Sequence, residues 1–444
     1  MLYKISLTIL FISLFVQQIK GFNSDTLDVD DNIFIKVDSI EIRGNETTED
    51  FVIMRELTFK NGDEISGKIL SYNKERIYSL GLFNFVKLFA EKNDSVIVIV
   101  INVDESWYIY PIPFLSVRDK DLKQTSYGMS LLYRNFRGRN ETIQAVASFG
   151  YDKFYYLSYL NPLLIESQGI IFSSSILYQT PVNKSRKAEI IHGGSFDYTV
   201  ASGAFSFGKR LNQFNDVYLI SGYNYVEAPE INYRGITASD GNIDRGMMMG
   251  MMYVYDTRDL KQFPTNGIYS KFDFLHKGLF NSKINYNVWG IDFREYRKVI
   301  ENLTGKWRVA YRNTFGDYVP LYDYFFFGYL DYIRGHRNNV REGKNILMTS
   351  FETAYPLLKE WDVSLDLPLI PKNLTSARIA FHLNLFYDAG ITYNKIEQLS
   401  MNNFDSGFGA GITILVLPYN AIRFEYAFNN KGKGEFLIGS GFSF

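Results

Sequence analysis

Arg378-Ile379-Ala380-Phe381-His382-Leu383-Asn384-Leu385-Phe386-Tyr387-Asp388 is the stretch on which the fold class turns. Side chains of a β-strand alternate between two faces. Arg378, Ala380, His382, Asn384 and Asp388 therefore share one face, and Ile379, Phe381, Leu383, Leu385 and Tyr387 share the other. Ala421 to Phe428 repeats the pattern, with Arg423 and Glu425 opposing Ile422, Phe424, Tyr426 and Phe428. One face is wholly apolar. A water-soluble sheet would bury it in a core; a membrane barrel would turn it toward lipid and leave the polar face in a lumen.

Composition fits the barrel, and fits a soluble β-sandwich equally well. The 444 residues are 17% aromatic, with 33 Tyr and 37 Phe, yet the mean hydropathy is only -0.13. Helical spans need about 20 consecutive apolar residues, whereas strands that alternate between lipid and lumen do not. Short alternating runs separated by Gly, Asn, Asp and Pro continue from Trp107 to Phe444. They number about 16 between Tyr108 and the terminus, roughly 21 residues each with its connection, and a tilted membrane strand needs about 9–11 of these. An even count places both ends of the barrel on the periplasmic side. Arg137-Gly138-Arg139-Asn140, Phe263-Pro264-Thr265-Asn266-Gly267 and Leu417-Pro418-Tyr419-Asn420 fall where short periplasmic turns belong, and Glu227 to Gly246 and Gly316 to Asn345 where longer outer loops belong. Leu358 to Ser376 is long for a periplasmic turn. The predicted architecture is a transmembrane antiparallel β-barrel, residues 107–444, in contact with the outer-membrane bilayer.

Lys4 followed by the apolar run Ile5 to Val16, ending near Gly21, predicts a secretory signal peptide over residues 1–21. Residues 22–34 form a short acidic linker. Residues 35–105 predict one small α+β domain in β-α-α-β-β order. Ile35 to Ile42 is strand-like. Thr47 or Thr48 can cap a helix running through Leu57, with Glu49 and Asp50 near its positive end. A second helix runs from Ser66 to Leu80 and stops at Gly81. Phe83 to Glu91 and Val96 to Val103 complete the unit as strands.

The order of these elements, with Gly44, Asn61-Gly62-Asp63 and Leu80-Gly81-Leu82-Phe83, resembles a POTRA domain, a periplasmic module that docks polypeptides. The barrel resembles that of the BamA/TamA outer-membrane assembly-factor superfamily. Tyr255-Asp256-Thr257-Arg258-Asp259 with Pro264-Thr265-Asn266-Gly267 matches a recurrent strand end and turn. Ile333-Arg334-Gly335-His336 matches the (Val/Ile)-Arg-Gly-(Phe/Tyr) motif of the sixth outer loop, with His336 where an aromatic is usual. Phe351-Glu352, Tyr355-Pro356 and Tyr387-Asp388-Ala389-Gly390 match the next two strands, and Phe442 and Phe444 the terminal strand signal. The resemblance implies that the loop folds into the lumen and that Arg334 pairs with Glu352 and Asp388. A guanidinium, with five fixed donors and a permanent charge, suits such a pairing. The resemblance also implies insertion or translocation of unfolded client polypeptides, among them β-barrel proteins. It implies a bacterial outer-membrane location with the small domain in the periplasm, and accessory periplasmic or lipoprotein subunits. A two-partner secretion transporter and a passive porin-like barrel are the alternatives.

Nothing points to an enzyme, a metal or another cofactor. The absence of cysteine excludes disulfides, thiolate metal sites and lipidated cysteine. His192, His276, His336 and His382 lack metal-site spacing, Gly193-Gly194-Ser195-Phe196-Asp197 lacks the last Gly of a nucleophile elbow, and no phosphate-cradling glycine loop is present. With 47 Lys+Arg against 48 Asp+Glu, no basic balance suggests nucleic acid as a partner. Gly407-Phe408-Gly409-Ala410-Gly411 reads as relief of crowding inside a barrel.

Overall fold

The computed structural model describes residues 31, 33–93, 96–117, 125–281, 283–328, 331–337 and 339–441. The expected signal peptide, most of the linker, and Phe442 and Phe444 lie outside the described residues.

The small domain contains β1 (Ile35–Lys36), β2 (Ser39–Arg43), α1 (Asp50–Met54), β3 (Glu64–Ile65), α2 (Gly67–Tyr78), β4 (Phe83–Asn93) and β5 (Val96–Glu105). Its three-stranded sheet has the order β2-β5-β4, with β2 parallel and β4 antiparallel to β5. α2 buries Leu70, Asn73 and Ile77, spaced three and four residues apart, beneath the sheet. α1 is shorter than expected. Glu49 occupies its N-cap position, and no side chain caps it. Thr48 is engaged elsewhere: its hydroxyl donates to Glu105 at 2.5 Å and accepts from Asn135 at 2.9 Å.

The remainder is a single antiparallel sheet of 16 strands. These are β6 (Ile109–Val117), β7 (Thr125–Phe136), β8 (Glu141–Gly150), β9 (Phe154–Ile165), β10 (Ile170–Gln179), β11 (Thr199–Asn212), β12 (Asn215–Glu227), β13 (Ile243–Asp256), β14 (Gly267–Leu279), β15 (Tyr286–Ile300), β16 (Leu303–Gly316), β19 (Asn345–Ser364), β20 (Ser376–Tyr393), β21 (Asp405–Leu417), β22 (Asn420–Asn429) and β23 (Gly434–Ser440). Each pairs with its neighbour in this order, and the sixth outer loop holds the short pair β17 (Phe325–Phe327) and β18 (Arg341–Gly343). The two faces separate as the alternation predicts. On β20, Arg378, Ala380, Asn384, Phe386 and Asp388 are buried, while Leu383, Leu385 and Tyr387 are exposed to what is lipid in the membrane. Curvature returns the first strand to the last hairpins, so that Tyr110 of β6 meets Tyr419 edge-on at 6.3 Å.

Residues 358–376 belong to an extended hairpin, not a loose turn. β19 and β20 stay paired as far as Ser364 and Ser376, through two bulges after Pro356. The inner face of the hairpin rests on the small domain, where Asn84 donates to the Asn373 carbonyl at 2.8 Å.

Candidate functional site

The sixth outer loop enters the lumen, and Arg334 is its deepest charge. Its Nε and Nη2 donate to the two oxygens of Asp388 at 2.6 and 2.8 Å, and Nη1 donates to Glu352 at 3.1 Å. A third carboxylate completes the set: Nη1 also donates to Glu425 at 2.9 Å. The carboxylates come from β19, β20 and β22, so one guanidinium ties the loop to three strands of the curved wall. Its Cζ lies 3.6 Å from the Phe386 ring centroid, a cation–π contact. Lys306 reaches Glu352 at 3.3 Å and Arg423 lies 3.7 Å from Glu425. Three cations thus face three anions in a buried, charge-balanced network, with Asn384 donating to Glu352 at 2.9 Å.

The backbone makes room for this. Gly335 has φ +91, a left-handed value that a side chain disfavours. A Cβ on Gly407 would stand 1.8 Å from the Arg334 carbonyl oxygen, so the loop lies directly on the backbone of β21. Ile333 packs with Phe327 and Ile346. His336 has a partner of its own: Nε2 lies 3.1 Å from the Ser406 carbonyl oxygen and Nδ1 lies 3.6 Å from the Asp405 carboxylate. Arg341 holds the same Asp405 at 2.6 Å. On the other side, Glu435 of β23 accepts from the backbone N–H of Gly335 at 3.2 Å and of Arg337 at 3.4 Å, and Tyr332 packs against the cluster of Phe386, Ala427 and Leu437.

Ile333, Arg334, Gly335, His336, Glu352 and Asp388 therefore assemble. Glu425, Lys306, Phe386 and Glu435 join them without having been singled out from the sequence. Arg423 and Glu425 had been placed on the polar face of their strand, but nothing local indicates which luminal charges meet across a curved sheet. Asp256, Arg258, Asp259, Pro264 and Gly267 sit at the opposite, periplasmic end. Arg258 pairs with Asp256 at 2.8 Å, and Asp259 accepts from Thr265 N–H at 2.9 Å and from its hydroxyl at 2.6 Å, pinning the turn that leads to Gly267.

That turn is part of a floor built by the small domain. Tyr72 donates to the Thr257 carbonyl at 3.0 Å and Ser79 to that of Asp259 at 3.2 Å. Glu49 N–H donates to the Gly138 carbonyl at 2.9 Å, and Tyr419 donates to Asn84 at 3.0 Å. Arg378 of β20 pairs with Glu75 of α2 at 2.9 Å. At the centre of the floor, Glu56 is buried against Arg76 of its own domain and Arg210 of the barrel, each at 2.9 Å. Burial alone would raise the Glu56 carboxyl, but the surrounding Arg210, Lys261, Arg55 and Arg76 more than reverse this and hold it at about 2. Apolar residues of both parts, including Ile77, Leu82, Phe263, Leu415 and Leu417, form one continuous core. Between α2 and the barrel rim a cavity of about 1040 Å³ remains, bordered by Glu75, Glu360, Arg378 and His382.

Among the described residues no hydrogen-bonded ladder joins β6 to β23, the first and last strands of the sheet.

Comparison with known proteins agrees with this architecture. Residues 135–444 match the Omp85 superfamily domain, and residues 35–106 match a POTRA domain described as a surface antigen variable number repeat. The outer membrane protein assembly factor BamA of Nitratidesulfovibrio vulgaris is 22% identical over 440 residues, which cover 92% of this chain and 51% of that relative. The chain thus spans about half the length of the curated relative it matches. Among solved structures, BamA from Haemophilus ducreyi lacking POTRA domains 1–3 superposes with a TM-score of 0.51 at 18% identity, covering 92% of this chain and 84% of that one. CdiB from Escherichia coli gives 0.52 at 10% identity, covering 91% and 75%. At these identities the structures share the fold. The chain belongs to the Omp85 superfamily, as an outer-membrane barrel whose POTRA domain lies in the periplasm.

Proposed function

We propose that this protein receives unfolded polypeptide segments at the periplasmic face and helps them, β-barrel proteins above all, into the outer membrane through the seam of its own barrel. The observation that carries this is the seam. Two membrane strands without a shared ladder present backbone donors and acceptors to hydrocarbon, where each unsatisfied group costs several kcal/mol. Such an edge is stabilised by any strand that pairs with it, and a client strand entering there completes its own hydrogen bonds as it inserts. The mechanism is strand exchange and needs no covalent step.

Two further features support the reading. The POTRA sheet ends in β2, an edge to which an extended segment can add. The small domain packs against the periplasmic turns of the barrel, which favours a route for the client along the outside of the barrel toward the seam.

Depletion of the protein followed by quantitative outer-membrane proteomics tests this. Broad loss of barrel proteins is the expected result. Loss of a single secreted protein would favour dedicated two-partner transport, and altered solute permeability alone would favour a passive barrel; either refutes the assembly role.

A further inference from the structure

Beyond the barrel wall, the β19–β20 hairpin keeps two faces of different chemistry. β16 pairs with β19 only as far as Ala354, and the hairpin continues without it to Ser364 and Ser376. Directly opposite residues of an antiparallel pair share a face. Leu383 faces lipid and stands opposite Tyr355, and the two bulges that follow preserve this phase. Leu358 comes to stand opposite Phe381 and Trp361 opposite Ile379, all on the lipid-facing side. Lys359 and Glu360, which the second bulge inserts, border the cavity beside α2. Asp362 stands opposite Arg378 on the same inner side, 3.9 Å from its Nε, and Arg378 pairs with Glu360 at 3.3 Å. The bulges thus send charge inward and leave apolar side chains outside.

The tip of the hairpin is apolar as well: Leu367, Leu369, Ile370 and Leu374 are exposed. Leu369 is fully exposed and has φ +69, a left-handed value that a branched side chain disfavours. Strain of this kind persists where the surrounding structure or a function holds it. The tip backbone suits surroundings poor in water. Pro368 and Pro371 have no N–H to satisfy. The N–H groups of Leu365, Ile370, Leu374 and Thr375 donate to the carbonyls of Thr375, Leu367, Pro371 and Lys372, at 3.3, 3.4, 3.0 and 3.1 Å.

We propose that this hairpin is a membrane foot: its outer face and tip seat in the periplasmic leaflet of the outer membrane, against phospholipid, and hold the POTRA domain at a fixed height beneath the barrel. Continuity decides for lipid over a protein partner. Tyr355, Leu358 and Trp361 prolong the surface of Phe351, Leu383 and Leu385, which already faces the bilayer, with no charge between them. Tryptophan and tyrosine settle at the boundary of membrane and water, where Trp361 and Tyr355 stand. Asp366 and Lys372 flank the tip with opposite charges, so a lipid without net charge suffices. The inner face supplies the link to the small domain. The Asn373 carbonyl accepts from Asn84 at 2.8 Å and from the Tyr419 hydroxyl at 2.9 Å, and Arg378 pairs with Glu75 at 2.9 Å. A hairpin fixed to lipid on one side and to the POTRA domain on the other sets the position of that domain against the membrane plane.

The chain has no cysteine, so a single introduced thiol carries the only label. Leu367→Cys and Leu369→Cys are each labelled with a nitrobenzoxadiazole dye. They are compared with Leu385→Cys on the lipid-facing side of β20 and Asn61→Cys, exposed on the POTRA domain. The full chain is reconstituted in phosphatidylcholine vesicles, and each folded barrel is confirmed by heat-modifiable gel mobility. Interfacial elements bury their apolar face about 5–10 Å into the boundary of headgroups and acyl chains. The tip labels should therefore emit to the blue of the Asn61 label and resist iodide present on both sides of the membrane. They should lose more intensity to phosphatidylcholine with a nitroxide near the headgroup than to one with it at the chain end. The Leu385 label should show the reverse preference, and the Asn61 label should yield to iodide alone. Leu369→Asp with Ile370→Asp should open the label of Leu367→Cys to iodide while gel mobility stays unchanged. Tip labels that iodide quenches as fully as the Asn61 label would overturn the proposal, as would shielding that survives the double substitution. Shielding that appears only when a detergent extract of native outer membrane is co-reconstituted would overturn it too, since the face would then belong to a protein partner.

Discussion

Removing the Arg334 guanidinium is the perturbation whose outcome the structure defines most closely. Arg334→Ala leaves Asp388 and Glu425 with only Arg423 between them, at 3.7 Å from Glu425, while Glu352 keeps Lys306. Asp388, 1% exposed, loses both of its bonds to the guanidinium. Taking one partner out of a buried ion network costs about 3–5 kcal/mol, because the remaining charge stays desolvated. The cost is avoided if the loop swings out and water enters, so it acts mainly on the equilibrium between docked and undocked loop. At 1.4 kcal/mol per factor of ten, the undocked fraction should rise roughly 100- to 4,000-fold. Limited proteolysis of the full chain in vesicles reads this directly. Where opening is fast relative to cleavage, the rate of cutting within residues 316–345 follows the open population. Arg334→Lys keeps a charge but not the planar fork, and should fall between parent and alanine variant. Cleavage in the alanine variant indistinguishable from the parent would refute the idea that this network holds the loop.

Three other outcomes follow. Gly407→Ala alters no charge yet puts a methyl 1.8 Å from the Arg334 carbonyl oxygen, so amide exchange of residues 331–337 should rise while the barrel still resists heat in gels. His336→Phe, which restores the usual aromatic, gives up the contacts to Ser406 and Asp405; a loss of about 1 kcal/mol in loop protection is expected by amide exchange, well short of the Arg334→Ala effect. Glu56, held at about 2 against an ordinary value of 4.5, contributes stability that is complete above about pH 4.5 and is lost as pH falls through about 2. Protection of residues 50–60 should fall across that window, and Glu56→Gln should abolish the pH dependence there.

Much of the fold was legible because a strand writes its two faces in alternate residues. The alternation alone marks β20 and β22, and the count of alternating runs gives the strand number of about 16, with which the turn residues agree. The hairpin at residues 358–376 was not legible as such, because Pro356 and the two bulges interrupt the alternation that would have marked it. α1 was overextended since Thr48 looks like a cap in isolation; its hydroxyl is taken by Glu105 and Asn135, far away in sequence. Of the luminal network, Arg334, Glu352 and Asp388 could be placed through the resemblance of their motifs. Lys306 stands directly opposite Glu352 in the pairing of β16 with β19, a register that the long sixth loop between them leaves unmarked in the sequence, and Glu425 reaches the same point from β22. The Glu56–Arg210 pair joins residues of two domains and depends on how they dock, which no pattern within either one records.

Glu435 and Leu437 give β23 a second role. β23, which among the described residues forms no ladder with β6, holds on its inner side the backbone of Gly335 and Arg337 through Glu435, and its Leu437 belongs to the cluster on which Tyr332 packs. Loop and strand therefore share one coupling free energy, and such coupling is reciprocal. Whatever factor loop release contributes to the mobility of β23, displacement of β23 returns to loop release. A ligand on the cell surface that captured the undocked loop would in this way be felt at the membrane seam, with no signal crossing the lumen other than the movement of one strand.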